Sequence, residues 1–359
     1  MNFHDLLHTP QYSLPHVEKE QILLGELNRL VQHHRENCPE YDRLVSVLYP
    51  DFEVARSLSE IPYLAVGLFK SHALKSVPGD KVFKTMTSSG TTGQQVSQIF
   101  LDVETAQRQS SALSRIMTHV LGPDRLPMIL LESRTLIQDR SRFNARAAGV
   151  LGMMTFGRNH FYALDENMEL DVSGLQSFLE KHGHQPFFIF GFTFMVWKYL
   201  FQQIAESHLD LSKAILVHGG GWKKMQEMAV SNFEFKRQFR EKTGLAKIYN
   251  FYGLVEQVGS VYVEGEDGYL YAPNFADVIV RDPVTWKEAP IGSPGILQVL
   301  SVLPLSYPGH SILTEDLGVI HGIDDSTCGR RGKYFSILGR IPKAELRGCS
   351  DVHASQVAG

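Results

Sequence analysis

Apolar residues recur at helical spacing near the start of the chain, on a face that an amphipathic helix would bury. Between residues 16 and 36 these positions are Ile22, Leu23, Leu27, Leu30 and Val31. A polar run from His33 to Glu36 ends the pattern ahead of Cys38 and Pro39. The sequence therefore predicts a helix over residues 16–36, followed over residues 61–70 by a short extended connector.

Two stretches further along alternate between apolar and polar residues, as half-buried strands do. They cover residues 82–86 and 95–100, and a turn rich in Ser, Thr and Gly separates them. Asp102 then offers the side chain of an N-cap to a helix that we expect to end at about Val120. This order of strand, loop and strand differs from the strand, loop and helix that open a Rossmann fold.

Short continuous apolar runs predict the buried strands of an α/β sheet. They cover residues 128–131, 187–190, 214–217 and 247–250, and helical patterns at 175–181 and from Thr193 onward lie between them. From about Gly259 to Tyr334 the pattern changes to short β-like segments separated by Gly and Pro. We therefore predict an α/β fold with a β-rich subdomain.

Composition narrows the class of protein. The chain has 359 residues and a net charge of −4 with both signs interspersed, which argues against a nucleic-acid surface because phosphate binding needs clustered Lys and Arg. No apolar run approaches the roughly 20 residues of a membrane span, and the N-terminus lacks a signal peptide pattern. Three scattered cysteines are expected to be free thiols. We expect a cytoplasmic protein without a membrane span.

The turn between the first two predicted strands carries the clearest candidate chemistry. It reads Thr87, Ser88, Ser89, Gly90, Thr91, Thr92 and Gly93. Hydroxyl groups together with backbone amides that glycine lets come close form a phosphate cradle. No Lys-Ser or Lys-Thr follows the last glycine, so the turn is not a Walker A loop. A flexible Ser/Thr-rich hairpin turn is the alternative interpretation.

Two further glycine-bearing turns follow predicted strands, at the carboxyl ends where ligands gather in open α/β sheets. One contains Gly219, Gly220 and Gly221 ahead of Trp222, and the other contains Tyr252 and Gly253. The first can let the backbone approach a flat ligand such as a nucleobase, with Trp222 as a wall. Alternatively, it marks a strand end that needs unusual backbone angles.

Three charged residues in the second half have chemistry that suits a nucleotide. Glu256 is a candidate magnesium ligand near a triphosphate, or a solvated acid. Asp316 can accept hydrogen bonds from both ribose hydroxyls, or serve in a plain turn. Arg340, after Gly339, can bring a fixed positive charge to an acyl phosphate, or lie on the surface.

Cys349 lies near the end of the sequence, between Arg347 and His353. Nearby positive charge favours a thiolate, and an exposed thiolate is a nucleophile. A tail cysteine without a role is the alternative interpretation.

Taken in order, these segments resemble the adenylate-forming superfamily of acyl and aryl ligases. The turn at residues 87–93 is similar to its phosphate loop, residues 252–256 to its aromatic-Gly-x-Thr-Glu motif, Asp316 to its ribose-binding aspartate, and residues 339–340 to the start of its hinge motif. The resemblance implies ATP and Mg²⁺ as cofactors. It also implies nucleotide contacts at Gly219–Gly221, Tyr252 and Gly253, and a magnesium ligand at Glu256.

The sequence resembles the LuxE-type acyl-protein synthetases more closely, over residues 1–351. These are the fatty-acid-activating subunits of the long-chain acid reductase that supplies aldehyde for bacterial luminescence. The similarity lies in residues 61–62, 69–70, 218–224, 252–257, 329–335 and 345–350. It implies an ATP-dependent ligase that makes acyl-AMP and takes the acyl group as a thioester on Cys349, with Glu256 and Arg340 as further catalytic residues. The implied partners are a fatty acid, an acyl reductase subunit, and an acyl transferase or thioesterase subunit.

Departures from the wider superfamily refine this expectation. Gln94 and Gln95 stand where that superfamily has Pro-Lys, so a cation over the phosphates must come from elsewhere, from Lys84 or Arg340. Val255 replaces the usual Thr. The sequence stops soon after Arg340, which implies the large N-terminal domain of an adenylate-forming enzyme, with mixed sheets and flanking helices, lacking the usual mobile C-terminal domain. A short tail that delivers Cys349 is a sensible replacement, because tethering raises the effective concentration of the thiol.

The resemblance divides the chain into four segments. They are a helical segment packed on the core (1–80), an α/β adenylation core (81–258), a β-rich subdomain (259–336), and a hinge-like motif with a tail that carries Cys349 (337–359). Residues 187–199 are a candidate wall of the acyl slot, or ordinary core packing. Two alternative functions remain open: a ligase that passes acyl or aryl groups to coenzyme A or a carrier protein, and a degenerate nucleotide- or acyl-binding scaffold.

Overall fold

The computed structural model describes residues 3–88, 95–138, 145–207 and 209–341. These residues form two compact units. The first unit contains residues 3–88, 95–116 and 253–341, and the second contains the described residues from 117 to 252. Within the described ranges, no helix has the length and apolar character needed to cross a bilayer.

The helices follow one another along the chain as α1 (Phe3–His8), α2 (His16–Asn37), α3 (Pro39–Leu48), α4 (Leu68–Ser71), α5 (Val103–Leu121), α6 (Thr135–Gln138), α7 (Ala145–Met154), α8 (Val172–His182), α9 (Thr193–Met195), α10 (Gln202–Ile204) and α11 (Asn232–Thr243). A π-helical turn, Val196–Phe201, joins α9 to α10. Short 3₁₀ turns lie at Leu58–Glu60, Gly79–Lys81, Lys223–Met228 and Val255–Gln257.

The strands are β1 (Leu64–Ala65), β2 (Lys84–Thr87), β3 (Gln98–Leu101), β4 (Leu126–Ser133), β5 (Gly157–Leu164), β6 (Phe187–Phe192), β7 (Ala214–Gly219), β8 (Lys247–Tyr252), β9 (Tyr262–Glu264), β10 (Leu270–Tyr271), β11 (Ala276–Arg281), β12 (Gly295–Ser301), β13 (Ser311–Ile323) and β14 (Lys333–Arg340). Each of the four apolar runs that the sequence predicted as buried strands lies in one of them.

In the first unit the main sheet is antiparallel and is ordered β11, β12, β13, β14, β10, β9. The short strand β1 pairs with β13 in parallel. Strands β2 and β3 form a separate hairpin in which Thr87 pairs with Gln98. Helix α2 buries Leu23, Leu27 and Leu30, so the helix predicted over residues 16–36 is amphipathic as expected. The turn after β11 presents Trp286, whose side chain is 46% exposed.

In the second unit the strands are parallel and are ordered β8, β7, β6, β4, β5. Strands β6 and β7 are buried along their whole length, as central parallel strands are when helices cover both faces. A β-carbon added at Gly191 on β6 would lie 2.7 Å from Leu131 Cβ and 2.8 Å from Val196 Cγ2. Position 191 therefore requires glycine, because the side chains of Leu131 and Val196 pack directly against it.

The predicted α/β class is confirmed, with mixed sheets, flanking helices and antiparallel β structure after residue 259. The runs at 128–131, 187–190, 214–217 and 247–250 lie in β4, β6, β7 and β8. Helix α3 and strand β5 were not predicted. Pro39 lies one residue beyond Cys38, the C-cap of α2, and is typical of a helix end, yet it is the first residue of α3, where its missing N–H costs no hydrogen bond.

Candidate active site

Glu256 is the most deeply placed of the predicted site residues of the first unit. It sits on the 3₁₀ turn Val255–Gln257 and is 5% exposed. Burial raises the pKa of its carboxyl group, and the Ser97 hydroxyl and the charges of Lys70 and Arg340 partly offset that rise. Ser97 Oγ is itself buried and makes no hydrogen bond of standard geometry with the described residues. The Glu256 carboxyl group and the Ser97 hydroxyl, both possible metal ligands, therefore lie together in a buried environment of low dielectric constant.

Gln257 fixes the turn that carries Glu256. Its side-chain amide donates to the Gly309 carbonyl oxygen at 2.9 Å, and its amide oxygen accepts from the Tyr262 hydroxyl at 3.2 Å. A β-carbon added at Gly309 would lie 2.7 Å from the Glu256 carbonyl oxygen. The turn and the loop at residues 304–310 therefore fit backbone against backbone.

The N-terminal helices anchor that loop through buried histidines. The Tyr41 hydroxyl hydrogen-bonds His310 Nε2 at 3.2 Å, and His34 Nδ1 bonds the Ser76 hydroxyl at 2.7 Å. The two imidazole rings stack with their centroids 4.9 Å apart. Burial lowers the pKa of His310 to about 3 and that of His34 well below its ordinary value. Both rings are therefore neutral at physiological pH.

Asp316 and Arg340 face each other across two neighbouring antiparallel strands. They are register partners on β13 and β14, and Arg340 Nε lies 3.4 Å from Asp316 Oδ1. Gly339 precedes Arg340 with a φ of +140°, a conformation that L side chains rarely adopt. Because Arg340 also acts on Glu256, one guanidinium group is in electrostatic reach of both carboxylates.

The hairpin of β2 and β3 brings the start of the predicted phosphate loop to the same place. Ser88 Oγ accepts a hydrogen bond from the Ser97 backbone N–H at 2.9 Å, and Ser88 N–H donates to the Ser97 carbonyl at 3.2 Å. Since the Ser97 hydroxyl lowers the pKa of Glu256, the loop end of the hairpin lies beside Glu256. The remaining loop residues, Ser89, Gly90, Thr91, Thr92 and Gly93, lie outside the described residues.

In the second unit the glycine-rich turn begins at the carboxyl end of β7. A β-carbon at Gly219 would lie 2.7 Å from the Phe251 carbonyl oxygen on β8. Gly220 and Gly221 have φ values of +84° and +64°, which glycine adopts without strain. The sequence-based alternatives, close approach to a ligand and an unusual strand end, both require such glycines.

His218, the residue before this turn, is fixed by Thr193, the first residue of α9 after β6. The Thr193 hydroxyl donates to the Gly219 carbonyl at 3.1 Å, which leaves its oxygen to accept from His218 Nδ1 at 3.0 Å. Burial lowers the pKa of His218 to about 3, and its ring stacks on Phe235 with centroids 4.6 Å apart. The imidazole is therefore neutral and has one defined tautomer.

Aromatic side chains surround this turn. Trp222 meets Trp197 of the π-helical turn with ring centroids 5.9 Å apart, and Trp197 packs on Phe235 at 5.4 Å. Most of the candidate acyl wall at residues 187–199 is buried in the core of this unit. Only Lys198 and Tyr199 are partly exposed.

The structure thus brings Glu256, Asp316, Arg340 and Ser88 together within the first unit. Gly253, the next predicted residue along the chain, belongs to this unit, and Tyr252 ends β8 in the second. Cys349 lies outside the described residues. Sequence reasoning missed Ser97 and Lys70, which both act on Glu256. The only sequence signal for Lys70 was that residues 69–70 are among the segments that resemble the LuxE-type family.

Comparison with protein families gives one match that spans the chain. The family model described as acyl-protein synthetase, LuxE, matches residues 4–358. Two curated relatives are each named "Long-chain-fatty-acid--luciferin-component ligase". The one from Vibrio harveyi is 22% identical over 365 residues, covering 95% of this chain and 89% of the relative. The one from Aliivibrio fischeri is 23% identical over 315 residues, covering 82% and 78%.

Solved structures of 2-hydroxyisobutyryl-CoA ligase have a similar fold. An open conformation in complex with 2-HIB-AMP and CoA has a TM-score of 0.70 at 19% identity and covers 92% of this chain and 77% of that chain. The thioesterification state also has a TM-score of 0.70 at 19% identity and covers 97% and 74%. The described chain therefore has the fold of adenylate-forming ligases, as the sequence predicted.

Proposed function

This chain belongs to the LuxE family of acyl-protein synthetases, and on that premise we propose that it activates a long-chain fatty acid with ATP and holds the acyl group on Cys349. Fatty acid activation and acyl transfer fit both the family description and the names of the curated relatives. The enzyme is then an AMP-forming ligase. The observation that carries the proposal is the full-length family match together with the meeting of Asp316, Arg340 and Glu256.

The first step joins the fatty acid to AMP. A carboxylate oxygen of the acid attacks the α-phosphorus of ATP, and the bond between that phosphorus and pyrophosphate breaks. Asp316 would accept hydrogen bonds from the ribose hydroxyls. Arg340, 3.4 Å from Asp316, would place its guanidinium on the α-phosphate, where negative charge develops.

A magnesium ion fits the chemistry around Glu256. Mg²⁺ is usually held by one or two carboxylates together with phosphate oxygens of the substrate. Across the described ranges no group of three or more His, Cys, Asp or Glu side chains could hold a metal, so the nucleotide would supply most ligands. Glu256 and the Ser97 hydroxyl offer the protein's oxygens. A bound ion would neutralise charge on the phosphate oxygens.

The second step moves the acyl group to sulfur. The Cys349 thiolate attacks the carbonyl carbon of acyl-AMP, the bond from that carbon to the phosphate oxygen breaks, and AMP leaves. The thioester would then supply an acyl reductase subunit, with an acyl transferase or thioesterase subunit providing the fatty acid. The word "luciferin-component" in the relatives' names supports a luminescence pathway.

Labelling with radioactive myristate tests this proposal. The full chain with ATP and Mg²⁺ should acquire label that hydroxylamine removes, as it does from a thioester. Cys349→Ser should acquire none yet keep fatty-acid-dependent exchange of pyrophosphate into ATP, because adenylation does not need the thiol. Cys328→Ser is the matched control, since Cys328 is a partly exposed free thiol and its loss should leave labelling unchanged.

Three outcomes would contradict the proposal. Equal labelling of Cys349→Ser and the unmodified chain would show that another residue accepts the acyl group. Formation of acyl-CoA at a comparable rate would point to a coenzyme A ligase instead. Nucleotide binding without any fatty-acid-dependent exchange would indicate a scaffold that has lost the reaction.

A further inference from the structure

We propose that Lys70 is the cation that binds the β- and γ-phosphates of ATP in this protein. This inference rests on the function proposed above and adds a residue to its nucleotide site. A triphosphate carries several negative charges, and a protein that binds it supplies fixed cations or oriented amides. The loop at residues 87–93 and the two glutamines after it contain no Lys or Arg. Any cation that binds the outer phosphates must therefore come from another part of the chain.

Two cations act on Glu256, and one of them is already engaged. Arg340 forms an ion pair with Asp316 at 3.4 Å. Lys70 is the other, and its side chain makes neither an ion pair nor a hydrogen bond with the residues that the structure describes. A partly exposed ammonium group beside the candidate magnesium ligand is available for an anionic ligand.

Strand pairing fixes the position of Lys70. It lies on α4, directly after β1, and β1 pairs with β13 through Leu64 to Ile312 and Ala65 to Leu313. The Val66 backbone N–H donates to the Leu313 carbonyl at 2.9 Å. Because β13 continues to Asp316, α4 is attached to the strand that carries the candidate ribose ligand.

The neighbour of Lys70 adds a second anchor. Phe69 is fully buried, and its ring meets the Tyr307 ring edge-on with centroids 6.5 Å apart. Burial chiefly raises the pKa of Tyr307, and the charge of Glu256 raises it further, so Tyr307 lies close to that carboxylate. Helix α4 also packs against β3, and β3 packs against the turn that holds Glu256. Helix α4, which carries Lys70, is therefore held beside β3 and the Glu256 turn by two separate sets of contacts.

Other lysines near the hairpin are placed less well. Lys84 pairs with Leu101 at the far end of the hairpin, whereas Thr87 pairs with Gln98 at the loop end. The Lys75 ammonium lies over the Phe100 ring, 5.9 Å from its centroid. Lys70 is the better candidate because its charge reaches Glu256.

Binding measurements with ATP and AMP separate this role from a general one. Lys70→Ala should raise the Kd for ATP about 10-fold or more, which corresponds to about 1.4 kcal/mol. The Kd for AMP should change less than about 2-fold, since AMP lacks the two phosphates that a lysine at this place would contact. Lys70→Arg should keep most of the ATP affinity, because it retains the charge.

Control variants make the result decisive. Lys81→Ala removes an exposed lysine from the neighbouring turn Gly79–Lys81 and should leave both Kd values unchanged. Lys70→Gln keeps a polar side chain but removes the charge, so it should lose ATP affinity as Lys70→Ala does while remaining folded. Thermal unfolding of each variant should match that of the unmodified chain.

Several results would overturn the assignment. Equal weakening of ATP and AMP binding by Lys70→Ala would exclude a contact with the outer phosphates. Loss of ATP affinity in Lys84→Ala, with Lys70→Ala unaffected, would transfer the role to Lys84. Failure of the unmodified chain to bind ATP would refute the proposed function itself. Equal ATP affinity in the unmodified chain and in Lys70→Ala would refute only the role of Lys70.

Discussion

The two units place their candidate site residues in different ways. In the first unit Glu256, Asp316 and Arg340 reach the site through their side chains, and separate buried groups such as Gln257 and His310 hold the Glu256 turn and the loop packed against it. In the second unit the corresponding features are backbone and glycine at the ends of buried parallel strands. Gly219 leaves no room for a β-carbon beside Phe251.

In the first unit the candidate site residues and the residues that stabilise the fold are different ones. In the second unit the same residues have both roles. In the first unit a carboxylate can be removed while the network beneath it remains. In the second unit the atoms that shape the site are also the core, where added volume costs about 1–3 kcal/mol. Substitutions should therefore affect mainly activity in the first unit and mainly folding in the second.

The largest effect should come from Asp316→Ala, which tests whether the first unit can lose activity without losing its fold. We expect fatty-acid-dependent pyrophosphate exchange to fall about 100-fold, or about 2.7 kcal/mol in the transition state, because both the ribose contact and the partner of Arg340 are lost. The free energy of unfolding, measured with urea, should fall by about 1 kcal/mol, because the ion pair is only partly buried, with the Arg340 side chain 27% exposed.

Asp282→Ala is the control for that experiment. Asp282 caps an exposed turn of the same unit by accepting from Val284 and Thr285, so its removal should leave the exchange rate unchanged. Unfolding of Asp316→Ala, or full activity in it, would break the proposed division of roles.

Gly191→Ala tests the second unit and should have the next largest effect. The added β-carbon would lie 2.7 Å from Leu131 Cβ and 2.8 Å from Val196 Cγ2, so we expect unfolding to become easier by about 2 kcal/mol. Hydrogen exchange should rise in β4, β6 and β7. The matched control is Gly149→Ala on α7, where nothing lies within 4 Å of the new atom; it should stabilise the chain by about 0.5–1 kcal/mol. A loss of similar size in both variants would contradict this account.

Acid should act on both units to a comparable degree. His310 in the first unit and His218 in the second have pKa values lowered by burial to about 3. A histidine that is harder to protonate when folded stabilises the fold above its unfolded pKa of about 6.5, and this contribution is lost as pH falls from 6.5 toward 3. Each should therefore cost about 2 kcal/mol of unfolding free energy by pH 5.

Urea unfolding at pH 7 and pH 5 measures that loss. The raised pKa of Glu256 works in the opposite direction, because the folded state then favours its protonated form. His310→Gln should reduce the pH dependence, and unchanged stability between pH 7 and pH 5 in the unmodified chain would refute the prediction.

The smallest effect should follow from Tyr41→Phe, which probes the support beneath the first site. It removes the hydroxyl that bonds His310 at 3.2 Å, and we expect a loss of about 1 kcal/mol in stability with a modest fall in pyrophosphate exchange. Tyr49→Phe removes a hydroxyl that donates to the Tyr63 carbonyl at 3.1 Å and accepts from the Tyr63 N–H at 3.2 Å, away from Glu256. Stability should fall at least as much in Tyr49→Phe as in Tyr41→Phe, and exchange should fall only in Tyr41→Phe. Equal exchange rates would mean that the histidine pair does not support the site.

Sequence patterns predicted the buried strands well, because continuous apolar runs have few alternatives to a sheet interior. Strand β5 was missed since its first half, with Arg158, Asn159 and His160, is polar and lies at the edge of its sheet. Motifs also pointed to Asp316 and Arg340 one by one. Their pairing depends on the register of β13 and β14 across a bulge, and local patterns do not encode register between distant strands.

The supporting residues were harder to foresee for a related reason. Ser97 and Lys70 act on Glu256 from elements far away along the chain, and neither residue type is distinctive on its own. The networks of His34, Tyr41 and His310 likewise join helices to a loop near the other end of the sequence. Long-range contacts of this kind arise only when the whole fold is assembled.

The distribution of the three tryptophans provides an optical consequence of this architecture. Trp197 and Trp222 pack together in the second unit, whereas Trp286 is half exposed in the first. In a Trp286→Phe variant all indole emission would come from the second unit, at the shorter wavelengths of sheltered rings. Subtracting that spectrum from the unmodified chain's isolates the first unit, so ultraviolet light can follow each half of one enzyme without any added dye.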